Sequence, residues 1–148
     1  MSELETKKRM VCSRFEGIRW HDSRLFDLSL LREPAEKKYD LRLSLNLIVG
    51  FLEGKSQRRM RTAVFTDCRI LRTELDLLGV LLCGGDIASA SCYSDAVEFE
   101  RGTNETGFIG LPQSHIPLEE CLAFLIELIN PGGQILVIAR DFELELQA

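Results

Sequence analysis

Between Tyr39 and Leu47 the sequence alternates strictly between large apolar and polar side chains. Four leucines follow Tyr39 at every second position, and aspartate, arginine, serine and asparagine fill the positions between them. Successive side chains of a β-strand point to opposite faces, so a period of two produces one apolar and one polar face. This segment is therefore predicted to be a strand with one buried face.

Weaker alternation of the same kind predicts the other strands of a sheet. The segments that show it are 24–32, 58–66, 87–93, 96–100 and 135–146. Residues 69–78 also fit a helical stripe, but a strand is favoured because their polar side chains fall in the correct phase. Loops are predicted at 50–57 and 101–107, and glycines around an apolar insert at 80–83 predict a turn. Short connections between neighbouring strands favour antiparallel pairing.

One helix is predicted over residues 117–129. Pro117 suits a first helical position, and the two glutamates that follow would lie in the first turn, where they complement the helix dipole. On a helical wheel the apolar residues cover about 200°, which is wider than the roughly 100° that a surface helix needs. Such a helix would lie deep against a sheet or use part of its stripe to contact another chain.

These elements predict an α+β fold with a mainly antiparallel sheet, for which a strongly curved or barrel-like form is one option. One principal helix, from the C-terminal half of the chain, is predicted to pack on this sheet. Residues 1–14 are polar and aperiodic and are predicted to be a loose N-terminal arm. Residues 15–148 are then predicted to form a single domain, because this length is typical of one domain.

Composition limits the classes of partner. The net charge is −5 and the pI is near 5.1, which disfavours the whole chain as a nucleic-acid binder, since phosphates must be neutralised by lysine and arginine. The start of the chain lacks the apolar region of a signal peptide. The apolar stretch 118–129 contains three glutamates and is shorter than the roughly 20 residues of a membrane span. A cytoplasmic protein with no membrane partner is therefore expected.

The cysteines and histidines give no metal or cofactor signature. Five cysteines occur without any CxxC spacing, and the two histidines lie far from any cysteine pair. Structural zinc sites normally show short spacings between their ligands. We therefore expect reduced thiols, no metal and no cofactor.

Trp20-His21-Asp22-Ser23 invites comparison with a catalytic triad. Adjacent residues of an extended chain point to opposite faces, so His21 and Asp22 are not expected to pair as base and orienting group. The favoured interpretation is structural, with Trp20 anchored in the core and with Asp22 and Ser23 fixing a turn through hydrogen bonds from their side chains to the backbone. We predict no catalytic residues. The alternative is a ligand site or small active site that uses His21 or His115 in a pocket between helix and sheet.

Two surfaces are candidate binding sites. The first is a basic patch at Arg58, Arg59 and Arg61, whose alternative interpretations are a solvated strand face or cross-strand pairing with acidic residues between 141 and 145. The second is an apolar interface suited to another protein or to a second copy of the chain. Its predicted members are Val80, Leu81, Leu82, Phe124 and Ile126.

Several short motifs carry a resemblance. Trp20-His21-Asp22-Ser23-x-Leu25 leads into the alternating segment that begins at Tyr39-Asp40-Leu41, and Phe65-x-Asp67-Cys68 and Leu75-Asp76-Leu77 follow it. With these motifs, roughly residues 20–78 resemble a loose group of small bacterial β-rich proteins, mostly uncharacterised. Some of that group resemble immunity proteins of polymorphic toxin systems. The resemblance implies a non-enzymatic bacterial protein that acts by binding, and it assigns no functional residue.

The sequence thus leaves two main hypotheses for function. One is a protein-interaction module, either a homodimer or an immunity-like antidote that covers a partner's active site. The other is a small-ligand carrier or small enzyme that uses a histidine. Nucleic-acid binding through the arginine-rich strand is a weaker third possibility.

Overall fold

The computed structural model describes residues 2–33, 35, 38–97, 109–110, 116–130 and 132–146 of the 148-residue chain. No helix in these ranges has the length and apolar character needed to cross a membrane. The elements in chain order are α1 (Glu3–Glu16), β1 (Arg24–Glu33), β2 (Lys38–Leu52), β3 (Lys55–Leu75), α2 (Leu77–Cys83), β4 (Gly85–Tyr93), β5 (Ile109–Gly110), a 3-10 turn (Leu118–Glu120), β6 (Leu122–Asn130) and β7 (Gly132–Leu146).

Six of the strands close into a ring. The order around it is β1–β2–β3–β7–β6–β4, every pairing is antiparallel, and β4 returns to β1. The short β5 adds to the far end of β3. The closing contact is brief, because only Arg24 and Leu25 of β1 pair with β4. The predicted mainly antiparallel and strongly curved sheet is confirmed.

The interior of the ring is filled from the strands and from α1. Alternate residues of β2, including the leucines at 41, 43 and 45, are fully buried. Phe65 of β3, Phe124 of β6 and Phe142 of β7 meet in the same cluster, with ring centroids 5.1–6.1 Å apart. The alternation between 39 and 47 thus predicted both a strand and its buried face.

The principal helix lies at the N-terminus, so the predictions of a loose arm at 1–14 and of a C-terminal-half helix are both wrong. Ser2 caps α1 by accepting a hydrogen bond from the Glu5 N–H (3.1 Å), and two glutamates occupy the first turn. Val11 and Phe15, four residues apart on one face, are buried in the main core. Most of the other side chains of α1 face solvent, which explains the polar and apparently aperiodic sequence.

The segment predicted as a helix at 117–129 is a single 3-10 turn followed by strand β6. Its even-numbered residues from 122 to 128 face the ring interior. Its odd-numbered residues Cys121 and Ala123 are also buried, in a second cluster on the outside of the sheet with Ala96, Ile116 and Ile138. Burial on both faces produced the continuous apolar run that resembled a wide helical stripe.

The other sequence predictions fare unevenly. Strands are confirmed at 24–32, 58–66, 87–93 and 135–146, each within a longer strand. Residues 50–57 are not a loop, because β2 and β3 continue to a two-residue turn at Glu53–Gly54, where both φ angles are positive (52° and 77°). The ambiguous segment 69–78 is strand to Leu75, and the insert at 80–83 belongs to α2. The predicted strand at 96–100 lies mostly, and the loop at 101–107 wholly, outside the described residues.

Candidate functional site

The segment from Trp20 to Ser23 ties α1 to the ring. The indole Nε1–H of Trp20 donates to the carbonyl of Phe15 at the end of α1 (2.7 Å). The backbone N–H of Asp22 donates to the Ile87 carbonyl on β4 (3.0 Å), and the Ile87 N–H donates to the Ser23 carbonyl (2.8 Å). These bonds extend the brief contact between β1 and β4 and confirm that Trp20 is anchored in the core.

The Ser23 hydroxyl forms hydrogen bonds to two backbone groups. It donates to the Arg19 carbonyl (2.6 Å) and accepts from the Ile48 N–H on β2 (3.1 Å). Ser23 is fully buried, so Oγ has no exposure to a substrate. This confirms the structural interpretation of the serine and removes it as a nucleophile.

His21 and Asp22 lie closer together than the sequence predicted. Asp22 has a positive φ of 65°, and this turn brings its Oδ2 to 3.5 Å from Nε2 of His21. The expectation that neighbouring residues would point apart is wrong because it assumed extended backbone. Both side chains remain mostly exposed, and 3.5 Å is longer than a well-formed hydrogen bond. The other ring nitrogen, Nδ1, lies 2.9 Å from the Ala88 carbonyl and therefore carries the proton.

His21 lines an open groove of about 450 Å³ between the turn after α1, the start of β4 and the end of β2. The opposite wall of this groove is formed by Ile48 and Phe51, and Trp20 and Ala88–Ala90 complete it. The guanidinium of Arg19 lies 5.0 Å from the centroid of the Phe51 ring, a cation–π contact. His115, the other predicted histidine, lies outside the described residues.

The wall that carries Phe51 belongs to a protruding ribbon, which we call the arm (residues 49–60). The ladder between β1 and β2 reaches only Asn46, and the described ladder between β7 and β3 reaches only Arg61. Within the part of the chain that the structure describes, residues 55–60 of β3 therefore pair only with residues of β2 between 46 and 52. At about 3.3 Å per residue, β2 extends roughly 20 Å beyond its last β1 partner.

The arm exposes both apolar and basic side chains. Val49, Phe51 and Leu52 are 50%, 59% and 63% exposed, and Met60 at the base of the arm is 41% exposed. Three basic residues and one acidic residue give the arm a net charge of +2, although the chain as a whole carries −5. No strand among the described residues pairs with the outer edges of the arm, and an open strand edge is the feature to which an extended segment of another chain can add.

The predicted basic patch lies at the base of this arm. Arg59 is exposed, whereas Arg58 and Arg61 are partly buried. The acidic residues of β7 proposed as their partners pair elsewhere. Asp141 binds Arg14 of α1 (2.9 Å), and Glu145 binds Arg42 of β2 (2.5 Å). Two of the three acidic residues thus pair with arginines outside the basic patch, and of these two pairs only Arg42–Glu145 joins two strands.

The predicted apolar interface divides into buried and exposed members. Val80, Phe124 and Ile126 are at most 1% exposed and belong to the main core, so their assignment to an interface is wrong. Leu81 and Leu82 are 47% and 74% exposed on α2. The physical reason is that Phe124 and Ile126 face the inside of a closed ring, whereas the prediction placed them on a helix.

The sequence missed the arm as a site. The signal was the group Val49-x-Phe51-Leu52, which brings apolar side chains to a turn that normally carries polar ones. In the described ranges, no group of three or more histidine, cysteine and acidic side chains could hold a metal ion. No family model, no curated protein and no solved structure matches this chain. The resemblance to immunity proteins stays a prediction.

Proposed function

We propose that this protein is a non-enzymatic interaction module that binds an acidic protein partner through the arm. The observation that carries the proposal is a two-stranded ribbon that exposes Phe51 and Leu52 beside basic side chains and whose outer edges meet no other strand of the described ranges. Exposed aromatic and aliphatic anchors flanked by cations are typical of protein-binding surfaces. A partner that covers them would desolvate the apolar tip and neutralise the cations.

The polarity of the arm supports an acidic partner. Lys55 and Arg59 are exposed along the same strand edge, and Arg19 extends the positive surface next to Phe51. Complementary charge raises the rate of association and selects the partner, while the apolar contacts supply most of the affinity. Binding is therefore expected to weaken as salt increases but to persist at high salt.

The physiological setting that we propose is a bacterial cytoplasm in which the chain acts as an immunity-like antidote. The support is the short motifs within residues 20–78, which resemble a loose group of small bacterial β-rich proteins, some of them similar to immunity proteins, together with an exposed arm that could enter a partner's cleft. A toxin encoded beside this gene is the first partner to test.

The test compares two matched leucine substitutions. Leu52→Ser alters the tip of the arm, and Leu82→Ser alters a comparably exposed leucine on α2 (63% and 74% exposed). Each variant and the original protein would be immobilised and used to capture partners from the source bacterium or a purified neighbouring toxin. We expect Leu52→Ser to lower the affinity at least tenfold and Leu82→Ser to leave it within twofold.

The opposite pattern, with Leu82→Ser abolishing capture and Leu52→Ser harmless, would refute docking through the arm and favour α2. A charge-reversal pair separates specific from general electrostatics. Arg59→Glu on the arm should weaken binding, and Arg9→Glu on α1, also an exposed arginine, should not. If nucleic acid rather than protein is recovered on the original protein and lost with Arg59→Glu, the proposed class of partner is wrong.

Self-association is a separate proposal that rests on α2. Leu78 and Leu82 are 67% and 74% exposed on this helix, which contains no charged residue. Burying both leucines in a symmetric dimer would remove them from water. Light scattering on the original protein should then show a dimer that Leu82→Ser converts to a monomer. A monomer at high concentration in both would reject it.

A second candidate function is small-ligand binding in the groove beside His21. The observation that favours it is a histidine with one nitrogen fixed on the Ala88 carbonyl and the other turned toward Asp22 at the groove. Ligand fragments would be screened by NMR, with the His21 ring signals as the readout. Hits that survive His21→Ala unchanged would argue against this use of the groove.

A further inference from the structure

One face of α1 is fastened to the end of β4 by three contacts in a row. Lys8, Cys12 and Glu16 follow at intervals of four residues and so share that face. The Lys8 ammonium donates to the Ser94 carbonyl (3.1 Å), and the Cys92 N–H donates to the Glu16 carboxylate (3.3 Å). Between these two contacts, Sγ of Cys12 lies 2.7 Å from Sγ of Cys92.

We propose that Cys12 and Cys92 are a site of reversible disulfide formation that joins α1 covalently to β4. A disulfide bond is about 2.05 Å long, so the two sulfur atoms need to approach by less than an ångström. The flanking contacts at Lys8 and Glu16 hold the helix next to β4 on both sides of the two sulfur atoms. The proposal is independent of the function of the arm.

The surroundings allow a small oxidant to reach one of the two sulfur atoms. A cavity of about 660 Å³ opens over the pair, and its walls include Glu5, Lys8 and Arg9 of α1 and Ser94–Val97 after β4. Cys12 is partly exposed, whereas Cys92 is 8% exposed. Cys12 is therefore the thiol that reacts first, and Cys92 is the one that resolves the intermediate.

The reaction with a low-molecular-weight disulfide such as oxidised glutathione proceeds in two exchanges. The Cys12 thiolate attacks one sulfur of the oxidant, forms a mixed disulfide and releases one glutathione thiol. The Cys92 sulfur then attacks the Cys12 sulfur, the mixed disulfide breaks and a second glutathione thiol leaves. Two protein thiols lose two electrons and two protons, and the oxidant gains both.

Burial disfavours the thiolate form of both cysteines. Burial raises the pKa of Cys12, with its contact to Cys92 and the Lys8 ammonium opposing that effect and Glu16 adding to it. Burial raises the pKa of Cys92 as well. Because the thiolate is the reacting form, oxidation at neutral pH uses a small fraction of the protein at any moment. The second exchange is fast because the two sulfur atoms are already adjacent.

The experiment treats the full chain with oxidised glutathione, blocks the remaining thiols with N-ethylmaleimide and measures intact mass and peptide maps. We expect a mass lower by two hydrogen atoms before blocking. We also expect one cross-linked peptide pair that contains Cys12 and Cys92 and that dithiothreitol separates. Original protein that carries glutathione on Cys12 without this cross-link, or that cross-links through another cysteine, would overturn the proposal.

Two variants give the matched comparison. Cys92→Ser removes the resolving thiol and should retain glutathione on Cys12 at a level at least tenfold above that of the original protein. Cys83→Ser removes the exposed thiol of α2 and should behave as the original protein does. If Cys92→Ser fails to fold, the cross-linked peptides of the original protein decide the question alone. Equal retention of glutathione by the original protein and Cys92→Ser would show that Cys92 does not resolve the intermediate.

Discussion

Replacing Phe15 by alanine tests whether α1 is an integral part of the core. Phe15 is fully buried, and its ring centroid lies 4.7 Å from that of Trp20 and 5.1 Å from those of Phe124 and Phe142. These rings come from the turn after α1 and from strands β6 and β7. Loss of the Phe15 ring would therefore leave a cavity that is bordered on several sides by rigid strands.

The expected loss of unfolding free energy is about 4–5 kcal/mol, near the top of the range of about 3–5 kcal/mol for phenylalanine-to-alanine changes in cores. We expect a loss near the top of this range because each aromatic contact of Phe15 contributes about 0.5–1.5 kcal/mol in addition to the effect of buried area. Alanine is the best helix former, so helix propensity does not add to the loss. Met10→Ala on the same helix is the control. Met10 is 67% exposed, and the expected change is within about 0.5 kcal/mol.

The assay is equilibrium unfolding in urea, followed by circular dichroism and tryptophan fluorescence. With a slope of about 2 kcal/mol per molar urea, Phe15→Ala should lower the midpoint by roughly 2 M. If Phe15→Ala is too unstable to measure, Phe15→Leu should give a smaller loss in the same direction. A midpoint for Phe15→Ala within 0.5 M of that for Met10→Ala would show that α1 is not part of the cooperative unit.

Three further predictions address the first residues of β7, the segment after α1 and the buried thiol of Cys68. Gly133→Ala should cost about 3 kcal/mol or more in urea unfolding, because φ is 150° and the new Cβ would lie 2.3 Å from a β3 carbonyl oxygen. Gly132→Ala meets nothing within 4 Å and should be far milder. Ser23→Ala should cost about 1–3 kcal/mol, because it leaves the buried Ile48 N–H and the partly buried Arg19 carbonyl without their side-chain partner. Burial raises the pKa of Cys68 from 9.0 to about 12, so above pH 9 the unfolded chain releases a proton that the folded chain keeps. Stability should therefore fall between about pH 9 and pH 12, by up to about 1.4 kcal/mol per pH unit from this thiol. Urea unfolding across that pH range should show that the unfolding free energy falls less steeply with pH in Cys68→Ala than in the original protein. In the control variant Cys83→Ala, which changes an exposed cysteine, it should fall as steeply as in the original protein.

The sequence predicted secondary structure correctly where one face of an element is buried and the other is exposed to solvent. The leucines of β2 follow that rule, and both the strand and its buried face were predicted correctly. Helix α1 follows it too weakly, because only Val11 and Phe15 reach the core. Two apolar positions do not establish a helical period, and the aromatic partners of Phe15 lie at least 50 residues away, except Trp20.

The candidate site divides in a similar way. The core anchor at Trp20 and the hydrogen-bonding role of Ser23 follow from residue type and from the position of the segment before a strand. The arm does not follow from local sequence. A hairpin protrudes where its neighbours end: β1 begins at Arg24, opposite Asn46, and the described part of β7 ends at Leu146, opposite Arg61. Gly50 and Gly54 suggested a loop, although β2 and β3 stay paired on both sides of the turn, from Gly50 opposite Gln57 to Leu52 opposite Lys55.

Strand β6 shows why an apolar run alone cannot distinguish a helix from a strand. Seen as a helix, residues 118–129 have an apolar arc of about 200°, a width that a helix on a sheet surface does not need. A strand with both faces covered has apolar side chains at even and odd positions alike. In β6 the even positions face the ring interior, and the cover over Ala123 and Leu125 comes from Ile116, Leu118 and neighbouring strands. The width of the arc was therefore a sign of burial on two sides, and the deciding contacts come from residues that the local pattern does not contain.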